Sequence, residues 1–220
     1  TICKNINTHN FFFSNKMTNL PKFIDLAIIA TNADKRREVT EKLIYRSSIK
    51  YIIFEKIAFQ SIADFKKIIY LLNKKGIKSW VNCPRRCWPS YKKLKKEINK
   101  KPLVMSIEGN NWGMGSNSVH FLDLLSYLIE ENKFYLVNSN LHRKIYKSKR
   151  SFFYEFGGKF IIKSLYGSII IIQDNMIGKN MPKFSIDLEG KKLIIDEKKG
   201  VVRKFNNKKK SLIKQIKFEV

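Results

Sequence analysis

Between Ile24 and Asn82 the chain alternates short apolar runs with segments of helical period, and this alternation constrains its fold more than any other feature. Ile24-Asp25-Leu26-Ala27-Ile28-Ile29-Ala30-Thr31 is a nearly continuous apolar run, the pattern of a strand buried on both faces of a parallel sheet. Asn32-Ala33-Asp34 supplies turn and cap residues, and a helix follows from Lys35 to about Tyr45 with Val39, Leu43 and Ile44 on one face. Lys50 to Phe54 reads as a second buried strand. Ser61 caps a second helix through Phe65, Ile68, Ile69 and Leu72, which stops at Lys75-Gly76. Ile77 to Asn82 is a third strand. Strand, helix, strand, helix, strand predicts a right-handed parallel α/β unit.

After Pro84 the character changes. Tyr91 to Asn99 reads as a short basic helix and Pro102 to Glu108 as a strand. Gly109 to Ser118 reads as a Gly/Asn/Ser loop, and Val119 to Ile129 as a helix with Phe121, Leu122, Leu124, Leu125 and Leu128 on its apolar face. From Phe134 onward strands are separated by turn signals at Gly157-Gly158, Gly167, Asp174-Asn175, Glu189-Gly190 and Lys199-Gly200. This pattern predicts an α+β domain with an open, mainly antiparallel sheet, joined to the parallel unit near Asn82.

Composition bounds the classes of function. The 220 residues are 44% hydrophobic and 28% charged, a globular balance. The apolar run from Ser168 to Ile172 is far below the ~20 residues of a membrane span, and Thr1-Ile2-Cys3-Lys4 does not open a signal peptide. The expectation is a soluble, cytoplasmic protein with no membrane partner. A net charge of +26 suggests nucleic acid. However, 36 of the 44 basic residues are scattered Lys, and Lys, Asn and Ile together make 85 of the 220 residues. All three have A/T-rich codons, so base composition is a competing reading of the charge, while Arg, the bidentate reader of bases and phosphates, numbers only 8. Nucleic acid is therefore the weaker expectation. Cys83 and Cys87 have no second Cys or His pair nearby, so with Cys3 they read as thiols of a reducing compartment and no metal site is expected.

Three places could carry chemistry. Glu55-Lys56 follows the second strand, at the carboxyl edge where open α/β sheets bind ligands. An amine there can polarise a substrate oxygen, although with 36 Lys in the chain a Lys at a strand end is also expected by chance. His120 is one of three histidines, with His9 and His142. It opens the apolar helix after the Gly/Asn/Ser loop, with Asp123 three residues on. Its charge changes near neutral pH, which suits acid/base work, and the competing reading is a capping or surface His. Asp123 could orient the imidazole or favour the helix N-terminus. Arg85 and Arg86, beside Trp88 at the domain junction, could hold phosphate or carboxylate or pair between domains.

Taken in order, these segments resemble the Gfo/Idh/MocA oxidoreductases. Asp25-Leu26-Ala27-Ile28-Ile29-Ala30-Thr31-Asn32 is similar to that family's DLVIIATP/N strand and turn. Phe54-Glu55-Lys56-Ile57 is similar to its EKP motif, with Ile57 where Pro is usual. Asn82-Cys83-Pro84-Arg85-Arg86 is similar to the segment entering the second domain, and Gly115 to Asp123 is similar to D-x-G-x-H-x-x-D. The resemblance implies the C-terminal part of a Rossmann-like domain over 1–82 and an α+β substrate and oligomerisation domain over 83–220.

It further implies NAD or NADP as cofactor and a sugar, polyol or nucleotide-sugar substrate. Lys56 would be the catalytic Lys that holds the reacting hydroxyl, and His120 the acid/base. Thr31, Asn32 and Glu55 would lie along the cofactor, and Arg85, Arg86, Asn117 and Asp123 on the substrate side. A homo-oligomer through the open sheet is expected. The chain departs from the family pattern in two respects. Ser116 stands four residues before His120, where many members have Asp. No glycine-rich phosphate loop occurs before Asp25. The 24 preceding residues are fewer than the ~30 of one βαβ unit, so the chain reads as a truncated form, with a catalytically inactive remnant as the alternative.

Overall fold

The computed structural model describes residues 12–148, 151–178, 180–206 and 211–220. Residues 1–11, with Cys3 and His9, lie outside them. The chain divides between Asn82 and Cys83 into two compact units.

In the first unit, β1 (Phe23–Ile29), α1 (Ala33–Arg46), β2 (Ser48–Phe54), α2 (Ile62–Lys74) and β3 (Lys78–Val81) alternate. The strands form a parallel sheet in the order β1-β2-β3. Ser61 caps α2 by accepting from the Asp64 N–H at 3.0 Å. Gly76 takes φ +66 after the helix, which glycine adopts without strain.

Consecutive strands joined by right-handed crossovers carry both helices to the same face. Leu43 and Ile44 of α1 and Ile68, Leu71 and Leu72 of α2 pack there on Ala27, Ile29, Ile52 and Phe54. The register Leu26↔Tyr51, Ile28↔Ile53 and Ile53↔Trp80 defines the other face. On it Ile28 is 67% and Trp80 54% exposed. The expectation that β1 is buried on both faces is thus corrected: the helices cover one face only. The buried face of α1 also differs from the expected stripe, being Arg36, Thr40, Leu43 and Ile44, with Val39 only partly buried.

The second unit holds α3 (Pro89–Ile98), β4 (Val104–Asn110), α4 (Met114–Ile129), β5 (Phe134–Lys147), β6 (Tyr154–Ser164), β7 (Ile169–Asp174), β8 (Asn180–Leu188), β9 (Lys191–Asp196), β10 (Val201–Asn206) and β11 (Ser211–Lys217). They build an eight-stranded sheet in the order β11-β10-β9-β8-β4-β7-β6-β5. Among the described residues of this sheet, only β4 and β7 pair in parallel. Tyr91, Leu94, Phe121, Leu124, Leu125 and Leu128 of the two helices pack on Met105, Ile107, Ile170, Ile172, Phe184 and Ile186. The alternate residues Val104, Ile169, Ile171 and Ile194 face the other way and are half-buried. No helix among the described residues is long and apolar enough to cross a membrane.

Candidate functional site

The carboxyl ends of the three parallel strands bring Thr31, Asn32, Glu55, Lys56 and Asn82 to one edge of the first unit. Backbone pairing continues past the strands: the Glu55 N–H donates to the Ile29 carbonyl at 3.0 Å, and the Asn82 N–H to the Phe54 carbonyl at 2.7 Å. The Glu55 carboxylate accepts from the Lys56 N–H through Oε1 and from Asn82 Nδ2 through Oε2, both at 3.0 Å. One carboxylate therefore fixes the turn that carries Lys56 and ties it to the end of β3. The Lys56–Ile57 peptide is cis. Thr31 and Asn32 are exposed, and Asn32 does not cap α1 with its side chain. An open hollow lined by Met17, Thr18, Tyr45 and Arg46 lies at the far end of α1 and takes no part in this edge.

Arg36, in the first turn of α1, was not singled out by the sequence. It is 2% exposed. Its Nη1 donates to the carbonyl oxygens of Glu55, Ile57 and Ala58, the last at 3.1 Å, and its Nη2 donates to that of Thr31. A signal was present in the sequence. Arg36, Thr40, Leu43 and Ile44 follow helical spacing, so a charged residue stood on the apolar stripe.

In the second unit the helix bearing His120 begins earlier than expected. Residues 109–118 read as a loop, yet α4 starts at Met114, whose side chain is fully buried. Gly113 at φ +79 makes the turn into the helix. His120 is therefore the seventh residue of α4 rather than its opening residue, and it is half-buried. The loop before α4 is built on Asp174, a fully buried carboxylate that accepts from the N–H groups of Asn111, Trp112 and Met176. Glu155 of β6 accepts from the Gly115 N–H at 2.8 Å, at the start of α4, where the helix dipole favours an anion. Asn117 Nδ2 donates to the Trp112 carbonyl at 2.9 Å.

The two arginines after β3 have carboxylate partners inside this unit. Arg86 forms a two-pronged pair with Asp123 at 2.7 and 2.5 Å. Hydrogen bonding to Asp123 raises the Arg86 pKa, against a smaller opposing effect of burial. Arg85 forms a fork on Glu197 at 2.7 and 2.6 Å, and Glu197 also accepts from the Tyr91 hydroxyl at 2.5 Å. The Arg85 guanidinium lies 4.7 Å from the Phe121 ring centroid and 5.5 Å from that of Trp88. Burial alone would lower the Arg85 pKa; the hydrogen bond and charge of Glu197 outweigh it and raise the value. Burial, then the Glu197 charge, pushes the Tyr91 hydroxyl far above its ordinary range. Cys83 is half-buried and Cys87 exposed, and neither forms a disulfide among the described residues.

Comparison with known proteins places this architecture. No protein-family model matches the chain, and no curated protein matches it in sequence. Solved structures do match. A dehydrogenase (MviM) from Clostridium difficile superposes with TM-score 0.66 at 14% identity, covering 88% of this chain and 63% of its own. UDP-N-acetylglucosamine 3-dehydrogenase GnnA from Acidithiobacillus ferrooxidans gives 0.66 at 11%, covering 88% and 64%. A super-repressor mutant of Gal80p from Saccharomyces cerevisiae gives 0.64 at 13%, covering 89% and 61%. The chain has the fold of the Gfo/Idh/MocA-type, NAD-binding Rossmann oxidoreductases, and it spans just under two thirds of the length of these structures.

Proposed function

We propose that the protein is a Gfo/Idh/MocA-type oxidoreductase that works on a hydroxyl or carbonyl of a sugar, polyol or nucleotide sugar with NAD or NADP. The observation that carries this is the carboxyl edge of β1-β2-β3. Glu55 holds the Lys56 turn and Asn82 together there, beside the exposed Thr31 and Asn32. Ligands of open α/β sheets bind at that edge.

These residues fit the ribose and nicotinamide half of the cofactor: two exposed polar side chains and an anchored carboxylate stand at adjacent strand ends. A glycine-rich cradle for the pyrophosphate is not among the 220 residues. When bound, the nicotinamide supplies or accepts the hydride. Thr31 and Asn32 would bind the ribose, with Glu55 beside it. Lys56 would hold a substrate oxygen through Nζ, and His120 would serve as the acid/base. Arg86 and Asp123 hold each other one turn along α4 from His120, so they would line the substrate side as a paired unit, with Arg85 behind them on Glu197 and Asn117 near the helix start. The domain roles follow the same reading: nucleotide binding over 1–82, substrate binding over 83–220.

The test is NADH and NADPH binding by calorimetry, followed by turnover of a nucleotide sugar. Lys56→Ala and His120→Ala should each cut kcat by at least about a hundredfold, the low end for a lost acid/base group. A second reading is a non-catalytic protein on the same frame. Ser116 in place of the usual acid favours it, as does the likeness to the super-repressor mutant of Gal80p. Absence of nicotinamide binding would favour that second reading. Pairing of two copies through the half-buried isoleucines of the eight-stranded sheet belongs to the first reading. Sedimentation as a monomer across a wide concentration range would remove it.

A further inference from the structure

We propose that Arg36 is the positioning residue of the nucleotide edge: one buried guanidinium sets the spacing between the segment that follows β1 and the segment that follows β2. Both segments lie beyond the sheet ladder, so their carbonyl groups need partners from elsewhere. Arg36 supplies them from one planar group, with Nη2 on Thr31 and Nη1 on Glu55, Ile57 and Ala58. The first carbonyl belongs to the segment carrying Thr31 and Asn32. The other three surround Lys56. The two segments are therefore braced against each other through a rigid fork, and the base of α1 is braced with them.

Several features indicate a placement device rather than packing alone. The charge is 2% exposed, and burying a cation costs several kcal/mol unless its hydrogen bonds are met. A Leu or Met on the same helical stripe would fill the volume without that cost but would leave four carbonyl groups to find other partners. The geometry also needs a guanidinium. Its two terminal nitrogens point to different segments, whereas a lysine ammonium is a single point and can bridge them only from one position. The side chain stops short of solvent, so Arg36 acts through Thr31, Glu55 and Lys56 and touches no ligand itself. A shift of about 1 Å in such a frame can lower catalysis by about a hundredfold, which links the brace to the proposed function on which this role rests.

The test uses the full chain with Arg36→Lys and Arg36→Ala, read by amide hydrogen exchange with no cofactor present. Arg36→Lys is expected to speed exchange at the Glu55 and Lys56 amides by at least about tenfold, with Ile52 and Ile53 inside β2 unchanged, the signature of local opening. Methylguanidinium added to Arg36→Ala should restore protection at those two amides. The NADH dissociation constant should rise by about tenfold in Arg36→Lys and fall back in the rescued Arg36→Ala. Wild-type exchange at Glu55 and Lys56 in Arg36→Lys would overturn the proposal. So would exchange accelerated uniformly through β1 and β2, which marks a general loss of stability. Exchange is read without ligand, so a wild-type chain that binds no NADH would defeat the functional reading while leaving the brace decided by exchange alone.

Discussion

Each of the two units has a sheet with helices on one face, and they differ in what the other face carries. In the second unit the outer face alternates Val104, Ser106 and Glu108 along β4, and Ile169, Ile171 and Gln173 along β7, the mixture of a face that tolerates water. In the first unit the outer face carries Leu26, Ile28, Tyr51, Ile53 and Trp80, with the charge of Lys78 at the start of β3. The difference is one of strand composition. Ser106, Glu108 and Gln173 interrupt the apolar residues on the outer face of the second sheet, while the strands of the first are mostly apolar on both faces, and α1 and α2 reach only one. The units also treat charge differently. The second unit holds a half-buried arginine against a carboxylate, Arg85 on Glu197; the first buries Arg36 against peptide carbonyls.

Truncations at fully covered and at bare positions should separate most sharply. Leu125→Ala removes a side chain with no exposed surface from beneath the second sheet, and should cost about 3 kcal/mol in urea unfolding. Ile28→Ala on the bare face of the first sheet should stay within about 0.5 kcal/mol. An equal loss at both would break the comparison, because it would mean that Ile28 is covered in solution.

The ion pairs give the next largest contrast. Glu197→Gln leaves Arg85 with its charge uncompensated and should destabilise the second unit by about 2 kcal/mol, below the range for fully buried pairs because both groups keep some solvent contact. Glu38→Gln, which loses only the exposed Lys42 contact on α1, should leave thermal unfolding unchanged.

The smallest effect is one of pH. Lys100 and Lys95 hold the Glu130 carboxyl at about 2, below its ordinary 4.5. Its contribution is therefore present above about pH 4.5 and is lost as pH falls toward 2. The melting curves of wild type and Glu130→Gln should differ at neutral pH and converge near pH 2. A gap that stays constant across that range would remove the assigned cause.

The sequence made the element order legible because local signals carry it: Ser61 before α2, Gly76 after it, and apolar runs of strand length. Glu55 and Lys56 were legible for the same reason, since they stand immediately after such a run, while Thr31 and Asn32 were reached only through the family resemblance. Residues 109–118 misled because Gly109, Gly113, Gly115 and the surrounding Asn and Ser residues carry loop propensity. Burial of Met114 and the Asp174 and Glu155 carboxylates, supplied from distant strands, override it. The partners of Arg85 and Tyr91 were beyond local reading, because Glu197 lies 112 and 106 positions away. Arg36 was within reach, since a cation at a stripe position is visible by spacing alone.

The bare face of the first sheet has one more consequence, an optical one. The chain has three tryptophans. Trp80 sits on that face, solvent-facing, with its ring centroid 5.9 Å from that of Tyr51. Trp88 stacks on Tyr91, and Trp112 meets Phe121 edge-on, both within the second unit. A wetted indole emits at longer wavelength than a packed one, so the two halves of the molecule carry separate colours. Anything that settles on the outer face of β1-β2-β3 would blue-shift the Trp80 component alone and leave the signal of the other unit as an internal reference.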